Sequence, residues 1–263
     1  MGIELIMARV DNFEQRFGGI GRLYGEQALQ RLRQAHICVV GIGGVGSWAV
    51  EALARSGIGK LTLIDMDDIC VTNINRQIHA LTETVGQLKT EVMKLRALSI
   101  NPQIEVEIID DFLTEENIDR YLNHNYDYVI DAIDSVKVKA ALLAYCKRQK
   151  IKVITTGGAG GQTDPSQIQI KDLSRTIQDP LAAKVRYLLR KQYGFTDNPQ
   201  RKFGIDCVFS TQPLIFPQVG TECSASATMN CSNGFGAATM ITATFGFFAV
   251  SRVIEKLLQK KID

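Results

Sequence analysis

An α/β fold, with a mostly parallel sheet covered by helices on both faces, is predicted by three observations. Between residues 36 and 161 short apolar runs alternate with segments of helical periodicity, the pattern of strands joined by crossover helices. A glycine-rich turn lies between the first such run and the first helical segment. The 263 residues also suffice for one large domain or a core with an elaboration, at roughly 100–200 residues per domain.

The strands are expected at ICVV (37–40), LTLID (61–65), IEVEII (104–109), YDYVIDAI (126–133) and KVITT (152–156). Between them, 45–57, 85–99, 114–123 and 136–149 read as helices, with Thr114 and Ser135 as N-caps whose hydroxyls accept from orphaned amides. The connections should be right-handed. Beyond residue 161, QIQIKD (167–172) alternates with period two, and Asp179 and Pro180 are placed as N-cap and first residue of a helix ending near 193. Residues 194–233 are turn-rich and hold three of the six cysteines, so a functional loop is expected there. A last helix, about 235–259, starts wholly apolar and ends in EKLLQKK. The expected organisation is an N-terminal helical segment (1–35), a core (36–161), and an extension, loop and helix (162–263) packed on that core as one structural unit.

Composition narrows the function classes. With 45% hydrophobic and 22% charged residues the chain is an ordinary globular one rather than disordered. Its 30 basic and 28 acidic residues leave a formal charge of +2, so contact with nucleic acid requires a local patch. The cysteines at 38, 70, 146, 207, 223 and 231 contain no C-x-x-C pair, so no zinc site is expected and a reduced, cytoplasmic setting fits best. Glu4 interrupts the only apolar stretch of the N-terminus, which argues against a secretory signal, and Ile6 departs from the myristoylation pattern. The uncharged stretch 234–250 is shorter than the roughly 20 residues of a membrane span and is expected as a buried helix.

Gly41, Gly43 and Gly46 form G-x-G-x-x-G directly after a strand and at a helix start. That arrangement lets backbone amides and the helix N-terminus approach phosphate. Asp65 ends the second strand, where a carboxylate can accept from ribose hydroxyls. The commonest owner of this fingerprint is a nicotinamide oxidoreductase, but the following residues point elsewhere. Asp67, Asn73, Asn75, Arg76 and Gln77 come just past that strand, and Lys89 lies on the next helix. Nucleotidyl transfer needs cations to offset charge developing on phosphorus; hydride transfer does not. Asp131 and Asp134 in DAID suit Mg2+ held through one or two carboxylates and phosphate oxygens. Taken singly, Arg76 and Lys89 are ordinary surface charges, and the two aspartates could cap a helix. Together at strand C-termini, where open α/β sheets bind ligands, they predict ATP with Mg2+ and no NAD.

GIGGVG, DMDDICVTNINRQ, VGQLKTEVMKLRALSINP and DAIDS resemble the adenylation domain of the ubiquitin-activating enzyme superfamily, which includes the activators of molybdopterin and thiamine sulfur carriers. RFGGIGRLYG, TTGGAGGQTDPSQIQIKDLSRTIQDPLAAKVR, GIDCVFSTQP and CSNGFGAATMITATFGFFAVS are similar to its tRNA-modifying branch, the dehydratases that use ATP to cyclise threonylcarbamoyladenosine beside the anticodon. The resemblance runs from about residue 16 to 255. It implies a Rossmann-like sheet with a C-terminal antiparallel extension, a homodimer, tRNA as substrate and sulfur-transfer proteins as possible partners. It also implies that Gly41, Gly43, Asp65, Asp67, Asn73, Arg76, Lys89 and Asp134 bind ATP and Mg2+, with Arg76 and Lys89 beside the reacting phosphate. An arginine from the partner subunit is implied too, for which Arg16 and Arg22 are the choices. Sulfur-carrier activators commonly carry paired cysteines, absent here, so adenylation of a small sulfur-carrier protein is the second reading and a nicotinamide oxidoreductase the third.

The remaining expectations concern single groups. Cys207 is the best-placed cysteine for a covalent intermediate, although small buried cysteine is the commoner role. His36 and His124 are expected to be structural; for His79, three residues after Arg76, a place near the nucleotide is the minority reading. Lys184, Arg186, Arg190 and Lys191 are expected on overlapping faces of the 180–193 helix as a phosphate-contacting patch, with Val185, Leu188 and Leu189 packing inward.

Overall fold

The computed structural model describes residues 12–122, 125–216 and 235–259. The expectations for the extreme N-terminus, for His124, and for 217–234 with Cys223 and Cys231 lie outside them. Two helices, α1 (Phe13–Tyr24) and α2 (Glu26–Gln34), open the described chain and meet through Phe13, Phe17 and Leu29. There follow β1 (His36–Val40), α3 (Gly46–Arg55), β2 (Lys60–Ile64), α4 (Lys89–Ile100), β3 (Glu105–Ile109), the short α5 (Ile118–Tyr121) and β4 (Tyr128–Asp131). The chain continues through α6 (Val136–Gln149), β5 (Val153–Thr156), β6 (Ile168–Asp172), α7 (Pro180–Tyr193), β7 (Asp206–Ser210) and α8 (Thr239–Leu258).

The strands form one seven-stranded sheet in the order β3-β2-β1-β4-β5-β7-β6. All neighbours are parallel except β6 and β7, which run antiparallel from Ile168 opposite Ser210 to Asp172 opposite Asp206. Both faces are covered, as expected. Ala49 and Leu53 of α3, Met93 of α4 and Phe245 of α8 fill one core; Leu142 and Leu143 of α6 and Val185 and Leu189 of α7 fill the other. One face of the apolar start of α8 is buried against α3 through Ile241 and Phe245, while Met240 and Phe247 stay exposed, so the expected burial holds for that face only. A Cβ on Gly246 would stand 2.8 Å from the Val45 carbonyl, so only glycine permits that approach. Among the described residues no helix is long and apolar enough to cross a membrane.

Several local expectations need correction. The turn-rich reading of 194–233 misses β7, which lies between β5 and β6 and is buried along Cys207–Ser210. A strand covered on both faces reads as a short continuous apolar run, and CVF is too brief for a period to emerge. The helix expected at 114–123 shrinks to α5 because the Asn117 side chain accepts from the Thr114 amide at 2.7 Å, forming a turn, and Thr114 caps nothing. The expected helix at 85–99 begins only at Lys89, because Ile69 and Gln87 tie the preceding turn together. Ser135 occupies the N-cap position of α6 without a capping bond from its side chain. Asp179, in contrast, accepts from the Ala182 amide at 2.8 Å with Pro180 behind it, as expected.

Candidate active site

An open cleft of about 710 Å³ lies at the C-terminal ends of β1, β2, β4 and β5, within the usual range of small-molecule sites. Its position follows from the topology: the chain leaves β1 toward β2 on one side, whereas β4 pairs with the other side of β1. The crevice therefore opens at the reversal, where doubly wound sheets bind ligands. Gly41 has φ +86°, and a Cβ there would stand 3.0 Å from the Ala132 carbonyl carbon and oxygen, so both conformation and space require glycine. Gly41 and Gly43 line the cleft and Gly46 does not. A Cβ on Gly46 would fall 1.8 Å from the Gly41 oxygen, so this third glycine lets α3 pack against the turn.

Asp65 braces that turn. One carboxylate oxygen accepts from the Ile42 amide at 2.6 Å and the other from the Asp67 amide at 2.8 Å, and burial raises its pKa above the usual carboxylate value. From the other side His79, 1% exposed, donates from Nε2 to the Ile42 carbonyl at 2.8 Å, which assigns the tautomer because a carbonyl can only accept. Burial, ahead of the neighbouring Lys89 charge, lowers its pKa to about 4. His79 thus supports the glycine turn from behind and does not line the cleft.

The segment between β2 and α4 carries the cations. Asn73 is buried and accepts from the Cys70 amide at 3.0 Å. Arg76 donates to the Thr72 carbonyl at 2.7 Å and the Asn75 side chain at 3.1 Å through one terminal nitrogen, leaving the rest of its five-donor fork for a ligand. Its backbone carbonyl accepts from the Trp48 indole and the Thr242 hydroxyl, both at 3.1 Å. The Thr239 hydroxyl likewise donates to the Asn75 carbonyl at 2.7 Å, while the Asn75 side-chain amide donates to the Ala237 carbonyl at 2.8 Å. The start of α8, remote in sequence, therefore positions Arg76. Lys89 is 5% exposed and pairs with Asp67 at 2.6 Å, while the Asp67 side chain stays half exposed. Asp134 lies exposed at the cleft wall. With Asp67 it offers the hard oxygen donors that suit Mg2+ completed by phosphate oxygens. Asp131 is not available for that role: fully buried, it accepts from Lys139 at 2.7 Å and Thr155 at 2.6 Å.

Three cleft walls were not anticipated: 111–114, the glycine run 157–160, and Thr242 of α8. The glycines after β5 were the available signal. A Cβ on Gly157 would strike Asp179, whose carboxylate accepts from the Gly158 amide at 3.0 Å and so joins α7 to the cleft.

The other candidates are dispersed. Cys207 is fully buried in β7, burial raises its pKa, and it does not line the cleft; its surroundings are those of a packing residue. Arg16 donates to the Ile100 carbonyl at the far end of α4, and neither it nor Arg22 lines the cleft of its own chain. On α7 the expected patch divides. Lys184 and Lys191 are exposed, whereas Arg186 turns inward to the Thr176 hydroxyl and Arg190 lies 5.3 Å over the Phe203 ring and 3.6 Å from Asp197. At 100° per residue positions 186 and 190 adjoin the buried 182, 185 and 189, so the four cannot share an outer face. His36 bonds Thr62 at 2.8 Å and is structural, as expected.

Residues 19–262 match the ThiF family. A relative from Haemophilus influenzae, tRNA threonylcarbamoyladenosine dehydratase, is 75% identical over 261 residues, covering 99% of this chain and 100% of the relative. The crystal structure of the Escherichia coli tRNA N6-threonylcarbamoyladenosine dehydratase in complex with AMP is 60% identical, with a TM-score of 0.87 over 94% of this chain and 96% of that one. The same E. coli protein solved with ATP has a TM-score of 0.87 at 59% identity, over the same shares of both chains.

Proposed function

The chain belongs to the ThiF family, and on that premise we propose that its cleft activates a carboxylate on tRNA with ATP and lets the substrate close on itself. It is an ATP-dependent tRNA-modifying enzyme that dehydrates threonylcarbamoyladenosine. The observation that carries the reading is the convergence of Arg76, Lys89 and Asp134 on a glycine-turn cleft, in a chain 75% identical to a dehydratase of that name.

A carboxylate is a poor electrophile at neutral pH. Its attack on the α-phosphorus of ATP forms an acyl adenylate and expels pyrophosphate. A nucleophile on the same side chain then attacks the acyl carbon, and AMP leaves with the former carboxylate oxygen, so the net change is loss of water. Ring closure within one bound molecule gains from orientation, worth roughly 7–11 kcal/mol of barrier. Gly41 and Gly43 bring amides to the phosphates, and Asp65 faces the ribose. Arg76 and Lys89 offset charge developing on the transferred phosphorus. Asp134, with Asp67, would hold Mg2+, which supplies further neutralisation of the phosphate oxygens. Cys207 takes no covalent part. A homodimer fits the same reading, because neither Arg16 nor Arg22 reaches the cleft of its own chain, leaving that position to a partner.

The test is mass spectrometry of tRNA nucleosides after incubation with the protein and ATP. Loss of one water from threonylcarbamoyladenosine, with AMP and pyrophosphate as products, is expected. Unchanged tRNA together with adenylation of a small protein's C-terminus would transfer the site to the sulfur-carrier reading.

A further inference from the structure

A second cavity, about 550 Å³, opens at the opposite edge of the sheet, beside Tyr128 of β4, Val153 of β5 and Asp206 of β7. Five lysines line it: Lys147, Lys150, Lys152, Lys202 and Lys256. Two carboxylates share the lining, Asp172 and Asp206, for a net charge of +3 in a chain whose total is only +2. Both carboxylates are already engaged. Asp172 accepts from Ser174 and from the amides of Phe203, Gly204 and Ile205, while Asp206 lies 3.5 Å from Arg252. Among the described residues none of the five lysines pairs with a carboxylate. Concentrated, unneutralised ammonium groups at a concave surface focus a positive field suited to phosphate.

The cavity is connected to the active site by α7. Leu181 at the start of that helix lines the ATP cleft. Its 14 residues span about 21 Å, with Lys184 and Lys191 on the exposed side. At the far end, the Tyr193 ring lies 6.0 Å from Arg148, next to Lys147, and Arg190 packs on Phe203, whose neighbours Lys202 and Gly204 line the cavity. Two inward arginines break the patch on the helix itself, but the outward lysines lead from one cavity to the other.

Resting on the tRNA reading of the cleft, we propose that the lysine cavity binds backbone phosphates of the RNA stem, with the outer face of α7 as the track from the reacting loop. Free phosphate or pyrophosphate shares that chemistry, and substrate length separates the two. The experiment measures affinity of the full-length chain for intact tRNA and for a hairpin cut to its loop-closing pairs, from 50 to 200 mM salt, for wild type and Lys147→Gln with Lys202→Gln. Losing two phosphate contacts should lower affinity for intact tRNA on the order of tenfold near 0.1 M salt and reduce the salt slope by about 1.4–1.8. Binding of the cut hairpin and of ATP should match wild type. A second pair at other positions, Lys152→Gln with Lys256→Gln, should reproduce the result, which guards against a local folding defect in the first. Unchanged affinity and slope for intact tRNA would overturn the proposal, and equal weakening of both RNAs would overturn the placement along the stem. Inorganic phosphate bound by wild type and lost in the variants, with tRNA affinity untouched, would make this a free-anion site. Wild type that fails to dehydrate tRNA at all would instead remove the functional reading on which the proposal rests.

Discussion

Two lysine–aspartate pairs of nearly equal length lie on the C-terminal side of the sheet, Lys89 with Asp67 at 2.6 Å and Lys139 with Asp131 at 2.7 Å. Their surroundings separate them. The Asp67 side chain is half exposed, and Lys89, though buried, borders the cleft, so Asp67 can turn to water or a metal when Lys89 meets a phosphate. Lys139 and Asp131 have side-chain exposures of 2% and 0%, and Thr155 completes their network. A desolvated pair of this kind cannot release one partner without stranding the other as a buried charge. Similar pairs thus stand open to a cleft in one place and closed within the core in the other.

The largest expected effect breaks the buried pair. Lys139→Ala should reduce the free energy of unfolding in urea by about 3–5 kcal/mol, because Asp131 is left uncompensated. Lys139→Met with Asp131→Asn should recover much of that loss. A loss below about 1 kcal/mol in the single variant would show that water reaches the pair and that the contrast is overstated.

The same truncation at the cleft should act on chemistry. Lys89→Ala or Arg76→Ala is expected to slow single-turnover dehydration about 10²–10³-fold, with a small change in the unfolding midpoint because Asp67 can return to water. Wild-type turnover in both variants would end their assignment to the reacting phosphate.

His79 is a third buried polar group in this region, held without an ionic partner. Its pKa is about 4 in the folded chain against the ordinary 6.5. Between those values the unfolded chain binds more protons, so stability should fall as pH drops from 6.5 to 4, by up to about 3 kcal/mol. In His79→Gln, which can keep a donor toward Ile42, unfolding followed at several pH values should lose that component. An identical pH profile would place the acid sensitivity elsewhere. The smallest effect is expected at Cys207: Cys207→Ala should keep its dehydration rate and lose about 1 kcal/mol of stability. Abolished turnover in a folded, ATP-binding variant would require a covalent intermediate.

Legibility differed sharply between the two halves. From β1 to α6 each strand and helix was signalled, although the helices expected at 85–99 and 114–123 came out shorter, and the glycine turn announced the place of the cleft. Gly41, Gly43, Asp65, Asp67, Asn73, Arg76, Lys89 and Asp134 all line the cleft, because the connections that leave the C-terminal ends of parallel strands deliver their residues to one edge. The second half was less readable. β7, no shorter than β4 or β5, was hidden because its three apolar residues CVF sit between turn-rich flanks, and its insertion between β5 and β6 depends on pairing with strands about 50 and 34–42 residues earlier, which no local pattern encodes. Likewise, the clamp of Thr239 and Thr242 on residues 75–76 joins positions more than 160 apart.

By itself the sequence determined the fold class, the nucleotide turn and the family of chemistry. Those depend on local conformational demands: glycine where φ is positive or space is absent, apolar periodicity where a face is buried, cations where phosphate is handled. Tertiary structure alone decided which aspartate of DAID meets solvent, which arginines of α7 turn inward, and where five lysines gather around the opposite edge of the sheet. Burial and charge density are properties of residues brought together from distant parts of the chain, and the low local dielectric they create separates a ligand-binding charge from a structural one.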